Sequence, residues 1–192
     1  MIRSLYNWTI SLATTPYALW ALMAIAFMES SFFPIPPDIL LIPLILARPK
    51  NAFLIAGLAT CASVAGGGLG YYIGLKFYEL VGSAIISFYH AEQLFNDFQT
   101  QFNQYGTIAV LIAGVTPFPY KIITISSGIA ELPFVQFLIY STIARGLRFY
   151  IIALLLRLYG EAIRKFIEKH LNFVFILFVI LLLAGFLLLK VI

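Results

Sequence analysis

The chain has 192 residues, of which 62% are hydrophobic and only 10% charged, and its formal net charge is +4. Its mean hydropathy is +0.99. A soluble domain carries about 25% charged residues, so a water-soluble globular protein is excluded and the chain is read as a membrane protein of one compact domain. No basic run is long enough for nucleic acid, and the positive excess is read as a topology signal.

The N-terminus has Arg3, but the stretch from Ser4 to Thr15 is mixed and offers no small-residue cleavage site. No cleaved signal peptide is expected. Residues 1–15 are read as an interfacial segment, a short helix with Leu5, Trp8 and Leu12 on one face. Trp8 and Trp20 are read as interface or packing aromatics.

Residues 16–48 are apolar but punctured by Glu29, Pro34, Pro36, Pro37, Asp38 and Pro43. Proline removes a backbone donor and clashes with the preceding turn. The piece from Tyr17 to Met28 reaches only about 18 Å at about 1.5 Å per residue, short of a hydrocarbon core of roughly 30 Å. Two half-helices forming a re-entrant hairpin are expected, with protein or water around the broken backbone.

Residues 51–75 hold no charge and form a clear spanning helix. Ala62, Gly66, Gly70 and Gly74 recur every four residues, a smooth face for close helix contact. The glycine run lacks the Lys-Ser/Thr of a phosphate-cradling loop, so packing is the preferred reading and direct ATP coupling is not expected. Cys61 is the only cysteine, so no intrachain disulfide forms, and it is read as a small packing residue.

Residues 77–104 are the most polar long stretch. Phe95, Phe98, Phe102 and Tyr105 recur at helical spacing opposite Asn96, Asp97, Gln99 and Asn103. This amphipathic linker is read as a surface helix or, alternatively, as a connecting helix packed on the bundle. Residues 105–132 repeat the first break, with Pro117-Phe118-Pro119-Tyr120-Lys121 echoing Pro34-Ile35-Pro36-Pro37-Asp38. A second spanning helix covers 134–156 and carries Arg145 and Arg148. Residues 161–192 are read as a charged connector and a C-terminal spanning helix.

The two halves align as hairpin then span, twice, and an odd number of crossings separates the hairpins. The expected fold is an all-α inverted repeat of two re-entrant hairpins with about three spanning helices and an amphipathic surface helix. Interrupted segments in corresponding positions point to a binding site near the midplane. Arg3, Arg48, Lys50, Arg157, Arg164, Lys165 and Lys169 fall on one side, against Lys76 and Lys190 on the other. This places the N-terminus in the cytoplasm.

Glu29, Asp38, Lys121, Arg145 and Arg148 sit where water is scarce, and such groups usually mark a pathway or pair with one another. Arginine and lysine suit phosphate oxygens, so Lys121, Arg145 and Arg148, with Tyr120, are the expected phosphate ligands. Glu29 and Asp38 are expected to couple or gate, because a carboxyl in a low dielectric takes a proton more readily. Half-helix N-termini would add donors. The competing reading is that the two carboxylates simply hold the cations in a buried network. Ser30, Ser31, Thr116, Thr124, Ser126 and Ser127 are expected mostly to re-satisfy backbone freed at the breaks.

An enzyme is not expected. His90 and His170 fall in polar connectors on opposite sides, no cluster has metal spacing, and no G-x-S-x-G occurs. No catalytic residue, metal or cofactor is assigned. A small-anion or ion-coupled transporter and a non-transporting scaffold remain as alternatives. The scaffold reading requires the charges to tolerate substitution singly.

The segments 27–38 (FMESSFFPIPPD), 114–121 (GVTPFPYK) and 144–149 (ARGLRF) resemble the DedA family, the VTT-domain or SNARE-associated Golgi protein group, most closely its YqaA-like branch, over roughly residues 20 to 160. The resemblance implies opposed re-entrant hairpins and translocation of a phosphate-bearing lipid, such as undecaprenyl phosphate or a phospholipid, across the bacterial inner membrane. Its acidic pair maps to Glu29 and Asp38, with a shorter loop between them than in many members. Many members have arginines around the second hairpin proline, where this chain has Gly114 before it and Tyr120 or Lys121 after it. Arg145 and Arg148 then act from the next helix. The expected partners are membrane lipids; homo-oligomerisation is left open.

Overall fold

The structure, a computed structural model, describes residues 15, 17–32, 35–90, 92–116 and 119–169. The expected interfacial segment (but for Thr15), Pro34, Pro117, His170 and the C-terminal span lie outside them. The described residues are helical throughout, joined by short turns, with no strand among them.

The first break separates α1 (Ala18–Ser31) from α2 (Asp38–Ala47). Pro37 stands at the N-cap of α2 with φ −65°, a value already suited to helix entry. Its carbonyl accepts the amides of Leu40 and Leu41 at 3.0 and 2.9 Å. Asp38 then occupies the first turn, where a carboxylate complements the helix dipole. A 3-10 turn at Pro49–Asn51 leads into α3 (Ala52–Phe77).

The helix does not stop at the end of the expected span. It passes through a π-helical turn (Tyr78–Gly82) into α4 (Ser83–Phe88), and the chain reverses at Tyr89 and His90, whose φ is +51°. Next, α5 (Glu92–Val115) runs across position 105 without interruption, so the amphipathic segment and the first arm of the expected second hairpin are one helix. Its aromatic face is partly covered: Phe95 stacks on Tyr78 at 4.7 Å, Phe98 and Phe102 continue the ladder, and Phe98 and Tyr105 remain exposed.

After the second break come α6 (Tyr120–Ile129) and α7 (Phe134–Lys169). A non-helical Tyr159 (φ −120°, ψ 17°) bends α7. Beyond it, Ile163 packs back on the core of α1 and α2. The segments Pro49–Phe88 and Phe134–Gly160 are long and apolar enough to cross a membrane.

At the centre, α3 is packed by α1, α6 and α7. Its glycine face explains how. A Cβ on Gly66 would overlap the Phe27 carbonyl of α1, and one on Gly74 would overlap the Ile125 carbonyl of α6. Gly70 lies between them, where a Cβ would come within 2.9 Å of the Ser30 carbonyl and against Thr124. The glycines let α1 and α6 lie on one helix and meet end to end. Cys61, expected as a packing residue, lies instead on the exposed side of α3.

Two apolar clusters result. One joins α1, α2, the first half of α3 and the second half of α7 around Leu22, Leu44, Ile55 and Phe149. The other joins α5, α6 and the remaining halves of α3 and α7 around Tyr71, Val110, Ile123 and Phe137. Buried polar side chains of α1, α3, α6 and α7 meet where the two clusters adjoin.

Candidate functional site

Among the described residues Arg145 is the largest fully buried side chain, 1% exposed. Its Nη2 donates to Glu29 Oε2 at 2.9 Å and its Nε donates to Ser63 Oγ at 2.6 Å. The Tyr120 and Phe149 rings lie 5.0 and 4.7 Å from the guanidinium carbon, within cation–π range. Tyr120 donates its hydroxyl to Ser141 Oγ at 2.5 Å. A buried arginine is tolerable only when paired and hydrogen-bonded, and here α1, α3, α6 and α7 each supply part of that compensation.

Three residues further along α7, Arg148 joins both breaks. Its Nη2 pairs with Asp38, just after the first break, and its Nη1 donates to the Thr116 carbonyl, just before the second. Two atoms here stay unsatisfied among the described residues: Asp38 Oδ1 and Arg148 Nε are both buried without a hydrogen-bond partner. Buried polar atoms are rarely left so. Between the two chain breaks the pair therefore keeps one free acceptor and one free donor.

Hydroxyls link the end of α1 to α3 and α6. Thr124 Oγ1 lies 2.9 Å from both the Ser30 and the Lys121 carbonyl oxygens. Ser31 Oγ lies 2.7 Å from the Phe27 carbonyl and 2.8 Å from that of Gly66, and Ser127 donates to the Ile123 carbonyl at 2.7 Å. These three serve backbone. Ser30 instead joins the charged network, 2.6 Å from Ser63 Oγ.

Of the expected site residues, the structure brings Glu29, Asp38, Tyr120, Arg145 and Arg148 together. Pro36, Pro37 and Pro119 flank them. Gly66, Gly70 and Gly74 set the helix spacing. Lys121 is half-buried on the first turn of α6 and pairs with no carboxylate among the described residues; the partner of Asp38 is Arg148. Each arginine thus faces an internal carboxylate rather than an open pocket.

Sequence reasoning missed Ser63 and Ser141. Ser63 carries the one weak signal, a hydroxyl beside the small-residue face of an uncharged span. No group of three or more His, Cys, Asp or Glu with metal-binding placement occurs among the described residues.

The VTT domain matches residues 35–158. An uncharacterized protein of Haemophilus influenzae is 32% identical over 171 residues, covering 89% of this chain and 88% of its own. One of Histophilus somni is 33% identical over 187 residues and covers 97% of both chains. A third, from the archaeon Methanocaldococcus jannaschii, is 25% identical over 82% of this chain and 89% of its own. No solved structure matches the chain.

Proposed function

This chain belongs to the VTT-domain, or DedA, family of membrane proteins, and from that premise we propose that it moves a phosphate-bearing lipid across the bacterial inner membrane. The observation that carries this reading is Arg148, which links the two breaks while leaving its Nε and the neighbouring Asp38 Oδ1 unpaired. A phosphate oxygen suits the free guanidinium donor. Lys121 adds a second cation on α6, within the first turn after the second break. In this reading the hairpins are re-entrant and opposed as an inverted repeat, the N-terminus is cytoplasmic, and Glu29 and Asp38 gate the site by trading partners.

The test is transbilayer movement of polyprenyl phosphate, with phosphatidylethanolamine alongside, in proteoliposomes holding wild type or Arg148→Gln. Movement that depends on the protein and is lost in the variant supports the reading. Movement of neither lipid by folded wild type sinks it.

A further inference from the structure

The two ion pairs are built differently. Glu29 and Arg145 close a ring. A guanidinium only donates, so Ser63, which accepts from Arg145 Nε at 2.6 Å, has its own proton to pass on. Ser30 Oγ lies 2.6 Å away to take it, and Ser30 in turn donates to Glu29 Oε2 at 3.2 Å. That oxygen also accepts Arg145 Nη2. The direction of each hydrogen bond around the ring is then assigned, and the ring ties α1 to α3 and α7 with aromatic rings against its guanidinium. A phosphate takes the place of Glu29 or Ser63 on Arg145 only by dismantling the ring. Asp38 and Arg148 form an open pair instead. The Arg148 side chain is 12% exposed where that of Arg145 is 2%, while the carboxylates Asp38 and Glu29 are similar at 15% and 11%; the difference is that Asp38 and Arg148 each keep one orphaned atom.

We infer that phosphate exchange is confined to the Asp38–Arg148 pair, where Asp38 is an internal competitor for the arginine, and that Glu29, Ser30, Ser63 and Arg145 are positioning residues. This rests on the phosphate-lipid reading above. The incoming oxygen takes the free Nε first and then displaces the Asp38 carboxylate from Nη2. Asp38 faces Arg148 and, one turn back, Arg145 on α7. Helix α1 contributes Glu29, and α3 carries no charge between Ala52 and Leu75.

The experiment titrates dodecyl phosphate into the purified full chain in detergent and follows thermal unfolding, with inorganic phosphate in parallel. Transport is measured on the same variants. Asp38→Asn should bind dodecyl phosphate about tenfold more tightly, because the competing charge is gone, and Arg148→Gln about tenfold more weakly. Ser63→Ala and Glu29→Gln should unfold at lower temperature and transport more slowly, with affinity held within about twofold.

Tighter binding in Glu29→Gln, or weaker binding in Asp38→Asn or Ser63→Ala, overturns the assignment. Asp38→Ala carries the same expectation if Asp38→Asn does not fold. A response to inorganic phosphate as large as that to the ester makes the occupant a free anion. That outcome refutes the lipid reading while leaving exchange at Arg148 in place. If wild type responds to neither probe and moves no lipid, the parent reading fails. The ring is then judged by stability: Ser63→Ala unfolding no lower than Asp38→Asn overturns it.

Discussion

Replacing Gly66 with alanine puts a methyl group where the Phe27 carbonyl of α1 already lies. The obstacle is backbone, held inside a packed helix, so no side chain can swing away to relieve it. Overpacking of this kind costs about 1–3 kcal/mol, and backbone contact places it near the upper end. Alanine recovers up to about 1 kcal/mol of helix propensity over glycine, leaving a net loss of about 2 kcal/mol.

Gly68 supplies the internal control, because the nearest atom to a Cβ there is Phe134 Cζ at 3.9 Å, ordinary contact. Gly68→Ala should therefore be neutral or stabilising by up to about 1 kcal/mol. Both variants would be unfolded by denaturant titration in mild detergent, with helical signal and a native-state probe followed together. A Gly66→Ala protein as stable as Gly68→Ala would show that α1 does not lie on this face of α3.

Three further outcomes are expected. Arg145→Ala strands the buried Glu29 carboxylate and should cost about 3–5 kcal/mol in the same unfolding assay; a loss below about 1 kcal/mol would mean that the pair is solvated. Tyr120→Phe removes the hydrogen bond to the buried Ser141 and should cost about 1 kcal/mol, a result contradicted by an unchanged midpoint. Positions 50 and 79 are separated by helix about 44 Å long, more than a hydrocarbon core of about 30 Å. In a Cys61→Ser background, Lys50→Cys and Glu79→Cys should react with an impermeant maleimide from opposite sides of the membrane. Labelling of both from one side would refute the crossing.

The breaks were readable because proline acts locally, through a missing N–H and a fixed φ, although Pro43, also expected to interrupt the chain, lies inside α2. Pro37 and Pro119 duly stand at the entrances of α2 and α6. The glycine face was readable for the same reason, since a four-residue repeat needs only helical geometry to form a stripe. The limits of α3 and α5 were not. Polar residues from 77 onward look like a linker, yet stacking of Phe95 on Tyr78 and the ladder through Phe102 carries both helices through the expected boundaries. That stacking joins positions 17 residues apart in sequence and has no local signature.

The sequence by itself determined the solvent and the punctuation. A chain with so few charges and such long apolar runs satisfies its backbone inside helices, and the Pro-x-Pro motifs mark where two of them begin. It also singled out the ionisable side chains that low dielectric makes costly. Only the tertiary structure decided how they pair. Glu29 meets Arg145 across 116 residues and Asp38 meets Arg148 across 110, because α1, α2 and α7 converge on α3 at distances its glycines permit. Lys121 carries the same charge as either arginine, but its place on α6 leaves it outside both pairs. Charge is a property of the residue; a partner is a property of the packing.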